Sequence, residues 1–344
     1  MTLDEAFRDQ AHSCTRMGSP FTGRLLTALA DGWRTDTALA QDFARYTGDI
    51  GPAGQSLPLR LAGALHALVL RGAAPELAAV YPPHASDDAT FGAAIAAALE
   101  THEDAILAFV QTHPQTNEVR RSAALIAIAH VATAQFDRPI ALSELGASGG
   151  LNLNWDRFAL QVGDARLGPA DAALTLSPEW SGPVPVGPAP RIATRAGVDL
   201  APLDPSDPDQ LTRMMAYLWP DQTERMARTR AAAAIQHTPV AQADAIDWLE
   251  HQLATAPAGH MHMIQHTVAW QYFPAEAQAR GTALIEAAGA RATASTPLAW
   301  MSMETDGDRT GQIGAAMTLR LWPGDMVFHL GRIDFHGRWV RWDG

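Results

Sequence analysis

The sequence predicts an α/β fold: a mostly parallel sheet preceded by an all-helical region. Three observations carry this. Up to about residue 138, apolar residues recur at helical spacing and alternating strand patterns are almost absent. From Pro139 onward, short apolar runs alternate with longer helical stretches. The last long apolar runs are joined only by Trp322-Pro-Gly-Asp325, too short for a parallel crossover, so the sheet closes with antiparallel strands.

In order along the chain, Leu57, Leu61, Leu65 and Leu68 mark one helix and Phe91, Ile95 and Leu99 another. Glu118 to Gln135 carries Leu125, Ile126, Ile128 and Val131 among many alanines. Ile140–Leu145 is the first strand. The Gly- and Pro-rich stretch 163–190 reads as an insertion or hairpin, and Arg191–Thr194 as a second strand. Pro239–Asp244 is a weak third strand, His260–Val268 a fourth and Pro297–Met303 a fifth; Ala315–Leu321 and Met326–Ile333 complete seven. Arg338–Trp342 extends the last strand or pairs with it. The division expected is a helical cap region, 1–138, and an α/β domain, 139–344.

Composition narrows the function. With 344 residues, 47% of them hydrophobic, the chain can bury a large core. A net charge of −12 argues against a nucleic-acid partner, because such binding rests on phosphate neutralisation by Lys and Arg. Cys14 is the single cysteine, so no internal disulfide forms. No apolar run approaches a membrane span, and Met-Thr-Leu-Asp-Glu is not a secretory signal; a cytoplasmic location is the expectation.

The most informative stretch is Ile140 to Leu153. An apolar strand ends in Glu144; a small-residue turn, Gly146-Ala-Ser-Gly-Gly150, follows; then comes an apolar segment with Asn152, expected as a helix. Strand, glycine turn and helix place backbone N–H groups and a carboxylate at one crevice, as a Rossmann-like nucleotide site does. The same letters read Gly-x-Ser-x-Gly, the elbow that presents a nucleophilic serine. A hydrolase elbow follows a central strand with several strands before it, whereas here helices precede the first strand. The cofactor reading therefore leads. A serine hydrolase using Ser148, Asp244 and His266 or His329 stays open, as does a binding protein without chemistry.

Glu144-Leu-Gly-Ala-Ser-Gly-Gly150 resembles motif I of class I S-adenosylmethionine-dependent methyltransferases, an acidic residue followed by Gly-x-Gly-x-Gly, with Ser148 at the middle glycine. The seven-strand order with a terminal antiparallel pair is similar to that fold as well. Over nearly its whole length the chain resembles an uncharacterised bacterial family, domain of unknown function 2332. The segments that carry this are Pro114–Glu118, Glu144–Leu153, Asp156-Arg157, Gly197–Asp199, Leu218–Gln222, His266-Thr267 and Trp322–Gly324.

The methyltransferase resemblance implies a Rossmann-like, seven-stranded methyltransferase-type sheet and bound S-adenosylmethionine. Glu144 would accept the cofactor's ammonium; Gly146, Ala147, Ser148, Gly149, Gly150 and Asn152 would line its cradle. Asp199 would hold the ribose hydroxyls, and Asp244 and the Ala245 N–H the adenine. The ordinary alternative for Asp244 is a helix N-cap.

His266 falls at the end of the fourth strand, where substrate and methyl donor would meet, and its side-chain type suits a general base. Trp270 would wall the substrate pocket. Asn117 and Glu118 would reach the substrate if the helical region folds over the crevice; their ordinary alternative is capping of the next helix, as for Thr116. His260, His262 and His266 share a strand face, but His266 lies about 13 Å from His262, too far for one metal ion. The function expected is methyl transfer to a small molecule; oligomeric state is not readable.

Overall fold

The computed structural model describes residues 1–51, 54–115, 117–307 and 313–344. The chain begins with α1 (Leu3–Arg16), α2 (Pro20–Asp31), α3 (Ala38–Phe43), α4 (Leu57–Leu70), α5 (Pro75–Ala78), α6 (Asp88–Thr101), α7 (Glu103–Val110) and α8 (Ser122–Gln135). Then follow β1 (Ile140–Leu145), β2 (Ala159–Val162), β3 (Ala165–Leu167), β4 (Thr175–Leu176), β5 (Glu179–Ser181) and β6 (Ile192–Asp199). The remainder is α9 (Pro208–Ala216), α10 (Thr223–Ala234), β7 (Val240–Gln242), α11 (Ala245–Ala254), β8 (Met261–Thr267), α12 (Ala275–Gly289), β9 (Leu298–Glu304), β10 (Ala315–Trp322), β11 (Met326–Ile333) and β12 (Trp339–Trp342).

Two compact units emerge: Met1–Thr116 with Asp207–Ala227, and Asn117–Ser206 with Arg228–Gly344. The first is helical. Its helices start where the sequence supplies caps: Thr2 and Glu5 form a capping box on α1, Ser19 precedes Pro20 on α2, and Asp87 caps α6. Leu25, Leu26, Leu61, Leu65, Phe91 and Ile106 fill its core. Each such burial contributes roughly 1.5–3 kcal/mol.

The second unit is built on a sheet ordered β5-β12-β11-β10-β9-β8-β1-β6-β7. Five adjacent strands, β7, β6, β1, β8 and β9, run parallel. β10, β11 and β12 continue as antiparallel neighbours. The sheet thus has nine strands among the described residues, where the apolar pattern predicts seven. The two additions lie together at one edge: β12, from Arg338–Trp342, and β5, from within the 163–190 insertion. β5 is only three residues long and partly exposed, which hides it from a hydrophobic pattern. α11 and α12 cover the face that carries Leu145, Ile264, Leu298 and Trp322.

The unit boundary lies at Asn117 instead of residue 138. The sequence changes texture at 138, but α8 already belongs with the sheet and packs on β9 and β10. No helix among the described residues is long and apolar enough to cross a membrane.

Candidate functional site

Parallel strands share one carboxyl edge, and this edge gathers the acidic candidates of the second unit together with His266 and one further carboxylate, Glu304. Glu144 lies at the end of β1, Asp199 ends β6, Asp244 follows β7, His266 lies near the end of β8 and Glu304 ends β9. The chain leaves β1 for β6 on one side and reaches β8 on the other. β1 is therefore the strand at which the order reverses, the place where open α/β sheets bind ligands.

The turn after β1 is held by its own unit. The Ala147 N–H donates to Val198 O at 2.9 Å and the Ser148 N–H to Asp199 Oδ2 at 2.9 Å. The Gly150 N–H reaches Ala147 O at 2.7 Å, and the Leu151 N–H reaches Asn117 Oδ1 at 2.9 Å. Gly146 and Gly150 have φ of 68° and 70°, which glycine alone adopts freely. A Cβ on Gly146 would meet Ala269 Cβ at 2.5 Å, and one on Gly150 would meet Gln236 Nε2 at 2.1 Å. Both glycines are thus explained by close packing of protein on protein. Gly149 is buried within the same turn.

The segment after the turn is a 3-10 stretch, Leu151–Arg157, kinked at Asn154, and not the expected α-helix. Asparagine side chains compete for backbone groups here: Asn154 Nδ2 donates to Gln236 Oε1 at 2.7 Å, and its Oδ1 accepts from Arg195. A seven-residue 3-10 segment offers no α-helical N-terminus, so the expected anion cradle is not formed in that way.

Asn117 and Glu118 lie beside this turn. Glu118 Oε1 caps the turn Val119–Arg121 through the Arg120 N–H at 3.1 Å, and Glu118 O accepts from Asn152 Nδ2 at 3.3 Å. Asn152 Oδ1 accepts from the Ser122 hydroxyl at 2.7 Å. The two residues therefore cap and brace the glycine turn from within the second unit. Thr116 lies outside the described residues.

Glu144 is almost wholly buried. Gln265 meets it, oriented by the Trp155 indole N–H, which donates to Gln265 Oε1 at 2.9 Å. Its Oε2 has no partner among the described residues. Burial pushes the carboxyl up to about 8; Gln265 and Arg121 oppose that rise, and the nearby Asp199 charge adds to it. At neutral pH Glu144 is a carboxylic acid.

His266 is fully engaged. Its Nδ1 lies 2.8 Å from Glu304 Oε1, and its Nε2 accepts the Trp300 indole N–H at 2.9 Å. An indole only donates, so Nε2 carries no proton and Nδ1 does. The lone pair a general base requires is engaged by Trp300, so the base role expected of His266 requires that bond to open. Trp270 stacks on His266 at 5.0 Å between centroids and so walls the histidine. Glu304 also accepts from the N–H groups of Ala269, Trp270 and Gln271 at 2.9, 3.1 and 3.3 Å. Burial raises its pKa, but the His266 bond and these amides outweigh that and leave it below the usual range.

Asp199 points to the turn, accepting from Ser148 and from the Ala201 N–H at 2.9 Å. Asp244 is the N-cap of α11, accepting from Ile246 and Asp247; Ala245 is the first residue of that helix, two strands away from β1. A Ser148–Asp244–His266 triad is not assembled: each partner is bonded elsewhere, and the Ser148 hydroxyl has no partner among the described residues. His329 lies on β11, four strands from β1.

Three of the segments that carry the family resemblance thus meet at one edge of the second unit: Asn117-Glu118 and Asn152 brace the glycine turn, and His266 bonds to the end of β9. Comparison with known families agrees with their breadth. The chain belongs to the DUF2332 family. That family, described as an uncharacterized protein conserved in bacteria, matches residues 4–342. No curated protein and no solved structure matches the DUF2332 chain.

Sequence reasoning missed Gln265, Trp155, Trp300 and Glu304. Glu304 had a signal: like Glu144 it is an acidic residue at the carboxyl end of a strand. The others act through hydrogen bonds between distant segments, which no local pattern displays.

Proposed function

We propose that the second unit binds S-adenosylmethionine at the carboxyl edge of β1 and transfers its methyl group to a small-molecule acceptor. The observation that carries this reading is the buried, unpartnered Glu144 Oε2 on the strand where the sheet order reverses. Counted along the chain, the five parallel strands follow the order 3-2-1-4-5 of doubly wound nucleotide-binding sheets.

The donor set fits such a ligand. Glu144 would hold the ammonium, and Asp199 the ribose hydroxyls. Asp244 and Ala245 would lie toward the adenine. When bound, the cofactor supplies an electrophilic methyl. The chain's own contribution is positioning: Glu304 fixes the loop Ala269–Gln271, and the Trp270–His266–Trp300 stack keeps water from that wall. With His266 Nε2 occupied, the reading favours an acceptor that reaches the site already deprotonated. A small acceptor suits the net charge of −12, which disfavours a nucleic acid.

Calorimetry with S-adenosylmethionine and its demethylated product tests the reading: wild type binds, Glu144→Ala binds weakly. No heat at millimolar ligand would reject it. A serine hydrolase has one feature in its favour, the left-handed Ser148 with its unpartnered hydroxyl. Labelling by a fluorophosphonate probe, lost in Ser148→Ala, would decide for that alternative.

A further inference from the structure

Ser148 has a backbone that serine avoids. Its φ is 53°, in the left-handed region where a Cβ is crowded. It stands at the middle of a turn whose first and last residues, Gly146 and Gly150, are glycines of similar φ. A glycine would also relieve the strain here. The side chain gains nothing inside the protein in exchange. Ser148 is 8% exposed, and its hydroxyl has no partner among the described residues. The turn itself is held by the Ser148 backbone: its N–H goes to Asp199 Oδ2, and its O accepts the Leu203 N–H at 3.3 Å. A buried hydroxyl left without a bond is unfavourable, and a strained backbone adds to that. Two unfavourable features at one residue, both removable by glycine, mark a group kept for contact with something outside the chain.

We propose that the Ser148 hydroxyl is a ligand-reading group of this crevice, hydrogen-bonding a hydroxyl of the bound nucleoside beside Asp199. This rests on the cofactor reading above and adds a specificity element to it. Asp199 fixes where the hydroxyl sits, because its carboxylate holds the Ser148 N–H. A ribose hydroxyl that donates to the Asp199 carboxylate then stands within reach to accept from, or donate to, Ser148 Oγ. A glycine in this place would bind the same ligand one hydrogen bond short.

The test uses the full chain and S-adenosylhomocysteine as probe. Ser148→Gly relieves the backbone and removes the hydroxyl; Ser148→Ala removes only the hydroxyl. Both should bind about tenfold more weakly in calorimetry. Ser148→Gly should also melt no lower than wild type, so that lost affinity is not lost folding. Wild-type affinity in both variants overturns the inference and leaves the cofactor reading standing. No binding by wild type overturns the cofactor reading and this inference with it. Covalent labelling of Ser148 by a fluorophosphonate overturns the inference in favour of a nucleophile.

Discussion

The Trp300 indole donates its N–H to His266 Nε2 at 2.9 Å, and this bond fixes the tautomer of the histidine, with a proton on Nδ1. The pair spans β8 and β9, whose register sets Ile264 opposite Trp300 and His266 opposite Ser302. Removing the ring would leave the indole N–H and part of the Glu304 carboxylate unsatisfied in a buried place. His266→Ala should therefore destabilise the protein by about 2–4 kcal/mol. Trp300→Phe, which keeps most of the volume, should cost about 1–2 kcal/mol. Urea denaturation of the three proteins measures both; an unchanged midpoint in His266→Ala would contradict the bonding described.

Glu304 gives the same wall a dependence on acid. Burial raises its pKa, but the His266 bond and the amides of Ala269 and Trp270 lower it further, and the net direction is down. A carboxylate with a depressed folded pKa stabilises above its unfolded pKa and loses that contribution as pH falls through the folded value. The contribution is therefore complete at neutral pH and is lost below about pH 4. Glu304→Gln should be less stable than wild type at pH 7 by about 1–3 kcal/mol, and the gap should narrow steadily as pH falls below that range. A gap independent of pH would show that the carboxylate is not charged here.

The turn makes a sharper structural demand at Gly150. Its φ is 70°, and a Cβ there would meet Gln236 Nε2 at 2.1 Å and Val240 Cγ2 at 2.9 Å. Gln236 cannot swing aside without cost, since its amide bonds Asn154 and Thr238 O. Gly150→Ala should destabilise by about 2–3 kcal/mol, from left-handed strain and displacement of Gln236 together. Thermal melting checks this, and a melting point equal to wild type would contradict the packing.

These relationships show what the sequence displayed and what it concealed. β1, the glycine turn and β8 were readable because an apolar run, a cluster of small residues and a second apolar run are local signals. β5 was hidden because three residues, two of them exposed and none buried, carry no pattern. The 3-10 form of Leu151–Arg157 was hidden because Asn154 gains its partners, Gln236 and Arg195, only after folding. His266 was found as a residue, but its role depends on Trp300, 34 positions away. The boundary at Asn117 was hidden because α8, apolar on nearly every side, resembles the helices before it while packing on the sheet.

Glu144 yields the strongest pH signature of the crevice. Burial, with the Asp199 charge beside it, raises its pKa to about 8, from an ordinary value near 4.5. The folded state therefore holds a proton that the unfolded state has released between those values. Stability tied to Glu144 is complete below about pH 4.5 and is lost as pH rises toward 8, at up to about 1.4 kcal/mol per pH unit. Glu144→Gln, a neutral group of the same shape, removes that loss. The variant should match wild type near pH 4.5 and exceed it at pH 8 by roughly 2–5 kcal/mol. A cationic ligand at Glu144 should displace the proton, so wild type would release close to one proton per ligand bound near pH 7 and Glu144→Gln none. Denaturation at the two pH values tests the first expectation, and calorimetry in buffers of different ionisation enthalpy tests the second. Equal stability of the two proteins at pH 8 would mean that Glu144 is already ionised in the folded chain, and the proton release would vanish with it.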